Sequence, residues 1–313
     1  MEEKLIVSFS PHVLDDDTTQ GIMLDVIIAL LPALMASIYY FRNKAVLIIV
    51  LSVLSAIVSE FVFQKITKQA ITINDLSAVV TGLLLAFNMP ASAPWWLPVL
   101  GSVFAIIIVK QLFGGLGHNF MNPALAARIM LMISYTTHMT NWVAPGIDAY
   151  TTATPLNYIK DLTSVPNGAP KLMDMFLGNI GGSLGETSAI LLILGGIYLI
   201  YRGVISIHIP AIYIATVGVS ALIFGGFDFH FMTYHLLAGG LMLGSIFMAT
   251  DYVSAPVTPK GKMIFAFGCG ILTSVFRFYG GYPEGVGFSI LLMNIAAPLI
   301  DKYTGPRVYG EVE

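Results

Sequence analysis

The chain has 313 residues, 56% of them hydrophobic and 11% charged, a net charge of −3 and a mean hydropathy of +0.81. Soluble domains carry about 25% charged residues, so the composition excludes an ordinary water-soluble domain, and the slight acidic balance gives no basic patch for nucleic acid. The single cysteine, Cys269, excludes an intramolecular disulfide and a four-thiolate iron–sulfur centre built from this chain alone.

Residues 1–20 are acidic and lack an apolar h-region, so they do not read as a cleaved signal peptide; they form an N-terminal segment whose side the charge count below sets. A helix needs roughly 20 mostly apolar residues to cross the hydrocarbon core. Ten stretches qualify or nearly qualify, at 21–41, 45–64, 76–89, 95–113, 122–136, 187–203, 207–225, 235–249, 262–279 and 285–301. One long polar segment, 137–186, separates the first five from the last five, and 302–313 forms a C-terminal tail. An even count puts both termini on one side. Lys4, Lys65, Lys68, Lys110, Arg202, Lys260, Lys262, Lys302 and Arg307 share that side, against Arg42, Lys44, Lys160, Lys171 and Arg277. The positive-inside rule then makes the termini cytoplasmic and the 137–186 segment extracytoplasmic.

The halves resemble each other at a nearly constant offset. SIYYFRN at Arg42 matches IYLIYRG at Arg202, and Asp75-Leu-Ser-Ala matches His235-Leu-Leu-Ala, both 160 residues apart. Phe113-Gly-Gly matches Tyr279-Gly-Gly at 166. Five spans per half is an odd number, so the second copy is inverted. The expected fold is an all-α polytopic membrane protein, with repeats 21–136 and 187–301 in one membrane domain. The third and eighth spans are short, stopped by Asn88-Met-Pro90 and Ala249-Thr-Asp251, which points to a site at the repeat interface.

Charge at membrane depth needs a reason. Glu60, Asp251, Arg277 and Glu284 are read as interfacial anchors or functional groups, and Asp75 lies at the edge of the third span. Asp25 and Arg128 fall deeper, as ion or cofactor contacts or as halves of structural ion pairs. Cys269 between Gly268 and Gly270 reads as a small packing residue, against the alternative of a thiolate for a metal bridging two subunits, and His118 as a loop hydrogen-bond partner rather than a ligand. In the long loop, Asp148-Ala-Tyr-Thr-Thr-Ala-Thr-Pro155 places a threonine before proline, which holds it extended. By residue type alone this is a threonine-rich loop.

Five stretches together resemble one family. They are Ser10-Pro-His12, Gly82-Leu-Leu-Leu-Ala-Phe-Asn-Met-Pro90, Gly114-Gly-Leu-Gly-His-Asn-Phe-Met-Asn-Pro-Ala124, Thr250-Asp-Tyr-Val-Ser-Ala-Pro-Val-Thr258, and the run from Tyr282 to Asn294. The chain looks like RnfD, a membrane component of the Rnf electron-transport complex, related to NqrB of the sodium-pumping NADH:quinone reductase. The resemblance implies a urea-transporter-like inverted repeat. It also implies FMN joined through its phosphate to a threonine in a motif Asp-x-x-Ser/Thr-Gly-Ala-Thr. Asp148, Thr151, Ala153 and Thr154 fill that motif, with Thr154 the acceptor. Thr152 stands where glycine is usual, and its Cβ restricts the turn. A second, non-covalent flavin such as riboflavin is carried by some members.

The resemblance further implies the other Rnf subunits (C, G, E, A and B) as partners, a flavin transferase for maturation, and a bacterial or archaeal cytoplasmic membrane. Electrons would pass between ferredoxin and NAD while Na⁺ or H⁺ is moved. No Gly-x-Gly-x-x-Gly unit for NAD is visible, so hydride transfer belongs elsewhere. The competing readings are a channel or secondary transporter of the same fold without flavin, and a structural scaffold for redox neighbours.

Overall fold

The computed structural model describes residues 18–146, 151–160, 162–186, 188–281 and 284–305, and among these the regular structure is helical. The first helix, α1 (Thr19–Ile66), opens on Thr18, whose side chain accepts from Gly21 N at 3.1 Å. Its 48 residues would measure about 72 Å, more than twice a hydrocarbon core of about 30 Å. Arg42 resolves this: at φ 52° and ψ −134° it breaks the helix into two arms, 19–41 and 43–66. A non-glycine residue at positive φ is a local strain, here placed at the turn between two crossings.

The chain continues through α2 (Ser77–Phe87) and α3 (Trp96–Val103). A π-helical stretch, Phe104–Lys110, and a short 3₁₀ turn, Gln111–Phe113, continue α3. Next come α4 (Pro123–Ser134) and the single turn α5 (Thr136–Met139). Pro123 sits in the first turn of α4 and the Asn122 side chain accepts from Ala124 N and Leu125 N, a start signal written in the sequence. The long loop carries two short helices, α6 (Pro155–Tyr158) and α7 (Leu172–Leu177). The second half follows with α8 (Ala189–Tyr201), α9 (His208–Phe224), α10 (Phe229–Leu237) and α11 (Leu241–Leu243), which runs into a π-helical Gly244–Met248. The last helices are α12 (Pro259–Tyr279) and α13 (Val286–Thr304).

All ten predicted stretches are helical, but they are not ten equal crossings. Among the described residues, four helices are long and apolar enough to span by length and composition: α1, which Arg42 divides, α3 with its extension, α12 and α13. The pair α10 and α11 with its π extension, bent by 65°, makes a fifth. The helices α2, α4, α8 and α9 hold only 11, 12, 13 and 17 residues. At 1.5 Å per residue, α2 and α4 reach about 17 Å, little more than half a core.

Close approaches set the packing. A Cβ at Gly82 of α2 would lie 2.8 Å from Val53 Cα, and one at Gly195 of α8 would overlap the Ala29 carbonyl. Small residues let these backbones touch where lipid supplies no hydrophobic drive. The offset of 160 residues recurs in space: Asn88, at the end of α2, donates through Nδ2 to Met248 Sδ at 3.6 Å. Two segment ends separated by the sequence offset therefore meet.

The interior is polar where the sequence expected surface charge. Glu60 is fully buried rather than anchored at an interface. Its Oε1 accepts from Lys110 Nζ at 2.8 Å and from Gln111 Nε2 at 2.6 Å, and Lys110 also donates to Ser77 Oγ at 2.6 Å. Arg277 is buried too, donating to the carbonyls of His235 and Ala238 at 2.5 and 2.9 Å. It satisfies carbonyls freed where α10 bends. Lys110 and Arg277 therefore leave the loop-charge tally, one from each side. Asp25 accepts from Tyr198 Oη at 2.7 Å and pairs with Arg202 at 3.1 Å, so it is half of a structural ion pair. Cys269 is fully buried between helices, as its glycine flanks suggested.

Candidate functional site

Asp148 lies outside the described residues. The rest of the motif is built on a short backbone pairing. Thr151 bridges to Val143, and Thr152 N donates to Trp142 O at 3.0 Å. Thr152 keeps a negative φ, so its backbone does not need glycine. Its hydroxyl faces Gly181, where any Cβ would overlap it. The room that a glycine at 152 would provide is supplied here by the glycine at 181.

Thr154 is extended, at φ −71° and ψ 155°, as its position before Pro155 predicts. Its hydroxyl is not presented to solvent, however: the residue is 1% exposed. The cause is the packing of α6. Leu156 and Ile159 join Met175, Ile180, Phe231, Tyr234 and Ala238 in one apolar cluster between α6, α7 and α10. That cluster pulls Thr154 inward. Although Thr154 stands at the N-cap position of α6, its hydroxyl makes no capping bond and has no other partner. A buried unsatisfied hydroxyl costs about 1–3 kcal/mol. Thr151 and Ala153 are exposed.

The loop reaches the end of α2 through 180–186. Ser183 bridges to Pro90, Leu184 N donates to Met89 O at 3.0 Å, and Glu186 N donates to Ser183 O at 3.0 Å. There Arg128 gathers a buried cluster. Its Nη1 donates to Asn88 Oδ1 at 2.5 Å, its Nη2 to Glu284 Oε2 at 2.5 Å, and Glu186 Oε1 lies 3.9 Å away. Glu284 is thus no interfacial anchor. Glu186 was not singled out in the sequence, and Lys110 was read only as one of the charges on the cytoplasmic side. Lys110 stood inside a predicted span, a signal that could have paired it with Glu60, whereas Glu186 was hidden in the long loop. The bend in α10 touches both ensembles: Gly239, at φ 67°, makes way for Leu156, and Gly240 lies beside Glu186 and Arg128. Among the described residues no group of three His, Cys, Asp or Glu side chains could hold a metal ion.

The comparisons with known proteins agree in one direction. Residues 6–310 match the model of the NQR2, RnfD, RnfE family. The chain belongs to that family. It is 52% identical over 312 residues to the D component of the Na(+)-translocating ferredoxin:NAD(+) oxidoreductase complex of Acetobacterium woodii, covering 99% of this chain and 96% of that one. It is 45% identical to the proton-translocating counterpart of Clostridium ljungdahlii, covering 97% and 96%. A third family member, the D component of the ion-translocating oxidoreductase complex of Alcanivorax borkumensis, is 39% identical over 98% of this chain and 97% of its own.

Proposed function

We propose that this chain is the RnfD-type membrane component of an ion-translocating ferredoxin:NAD oxidoreductase complex and that it carries FMN as a phosphoester on Thr154. The single observation behind the flavin is the Thr154 hydroxyl, buried and without a partner at the acceptor place of the motif. Bound there, the flavin would supply electron chemistry that no side chain of the protein supplies. The chain's own residues fix its place. Thr151 and Thr152 tie the motif to Val143 and Trp142, and α6 docks the acceptor against α7 and α10.

The domain plan follows the sequence. Residues 1–20 and 302–313 are cytoplasmic ends, 21–136 and 187–301 are inverted five-helix repeats, and 137–186 is the extracytoplasmic flavin-bearing loop. The Asn88–Met248 contact supports that plan. The other Rnf subunits are its partners, a flavin transferase matures it, and a second, non-covalent flavin such as riboflavin accompanies the first. Two of the relatives move different ions, Na⁺ and protons, at 52% and 45% identity, so the translocated ion is Na⁺ or H⁺. The test is flavin fluorescence on a denaturing gel of protein from a host that has the transferase. A fluorescent band that disappears in Thr154→Val supports the attachment, and a dark wild-type band refutes it.

A further inference from the structure

Ten buried side-chain polar atoms lack a hydrogen-bond partner among the described residues, and five of them surround α6: Thr154 Oγ1, Tyr234 Oη, both ring nitrogens of His235, and Arg277 Nε. Buried polar groups in folded proteins are nearly always partnered. Such a concentration is the mark of a surface shaped for something else. A cavity of about 350 Å³ is lined by two of these four residues, His235 and Arg277, together with Leu156, Ile159, Phe278 and Tyr279. That volume lies at the small end of ligand sites.

The walls are aromatic. The His235 ring sits 4.5 Å from that of Phe231 and 5.2 Å from that of Phe278, and Phe278 stacks on Phe224 at 4.2 Å. His235 and Arg277 are 3% and 4% exposed, so their orphan nitrogens are dry. A slot with aromatic rings, an imidazole and a guanidinium in its lining, and with Lys160 and Thr163 also lining it, suits a flat heteroaromatic ring bearing carbonyl and ring-nitrogen acceptors. The acceptor threonine is at hand: Thr154 and Leu156 are two residues apart, so their Cα atoms lie within about 7 Å. A ribityl phosphate arm spans that gap. The other cavity of equal size, beside Arg42 and Lys44, contains none of the orphaned atoms.

We infer that this cavity seats the isoalloxazine ring of the flavin on Thr154, with His235 hydrogen-bonding to the ring and Tyr279 covering it. The inference rests on the attachment proposed above. His235 is then a binding residue, retained at the expense of two unpartnered nitrogens.

The experiment uses the complex purified from its native host, as wild type, His235→Phe, Tyr279→Leu, and Tyr201→Leu as a control at an exposed tyrosine outside the cavity. Two readouts are taken: flavin fluorescence of the denatured band, and emission, absorption structure and midpoint potential of the folded complex. Covalent bands of equal strength are expected throughout. In the folded state, Tyr279→Leu should emit severalfold more, because a tyrosine against a flavin quenches it. His235→Phe should shift the midpoint potential without loss of folded protein, and His235→Gln, which keeps a donor, should return part of that shift. The control should match wild type. Equal bands with folded spectra and potentials indistinguishable from wild type would overturn the inference. A dark wild-type band would refute the attachment and leave the cavity to be judged with lumiflavin, an isoalloxazine without the arm. Quenching of titrated lumiflavin by wild type but less by Tyr279→Leu and His235→Phe supports the seat; equal quenching by all refutes it.

Discussion

Replacing Arg128 by methionine tests the buried cluster at the meeting point of the two halves. The guanidinium contacts Glu284 at 2.5 Å and Asn88 at 2.5 Å, with Glu186 at 3.9 Å. The side chains of Arg128, Glu284 and Glu186 are 8%, 11% and 3% exposed, so water screens them little. Methionine fills similar space but strands two carboxylates. Removing one partner of a buried pair costs about 3–5 kcal/mol, chiefly through the charge left behind. Glu284→Gln keeps an acceptor for Arg128 and should cost about 1–3 kcal/mol. The double variant, with one carboxylate neutralised, should be more stable than Arg128→Met alone. The coupling expected between such contacting residues is about 0.5–3 kcal/mol. The assay is reversible unfolding in mixed micelles with rising sodium dodecyl sulfate, followed by circular dichroism. If Arg128→Met unfolds with wild type, or the two losses simply add, the reasoning fails.

Three further outcomes follow from the same geometry. Lys110→Met should destabilise by about 3–5 kcal/mol by stranding Glu60, and adding Glu60→Gln should recover part of the loss in the same unfolding assay. Thr154→Val should remove the covalent flavin while leaving the fold as stable or slightly more so, because it deletes a hydroxyl without a partner; a large loss of folded protein would assign the threonine a structural role. Gly181→Ala should cost about 1–3 kcal/mol by crowding Thr152 Oγ1, and Thr152→Gly should relieve that cost with the gel band retained.

The helices were legible because their signals are local. Apolar runs and the interruption at Asn88 lie within a few residues of what they shape, whereas the break at Gly239, inside the span read as 235–249, was not read. Their true lengths were less legible. Hydropathy counts apolar residues and does not see a helix stop halfway, as α2 does, or a single strained residue, Arg42, dividing one long run. The ion pairs were invisible for another reason. Glu60 and Lys110 are 50 residues apart, and Arg128 and Glu284 are 156 apart. Only the fold brings them together, and a lone charge near a span end reads as an anchor. At the motif, the extended backbone of Thr154 was readable from Pro155. Its burial was not, because that depends on α6 packing on α7 and α10. The Thr152 mismatch also needed a distant residue, Gly181, to make sense.

The central claim is the flavin on Thr154, and mass spectrometry of the peptide that contains this residue tests it most directly. The protein must come from its native host, with the transferase present. The account predicts that peptide carrying an FMN phosphoester, fragmenting to place the adduct on Thr154 and not on Thr151 or Thr152. An unmodified peptide, or an adduct on another residue, would contradict it.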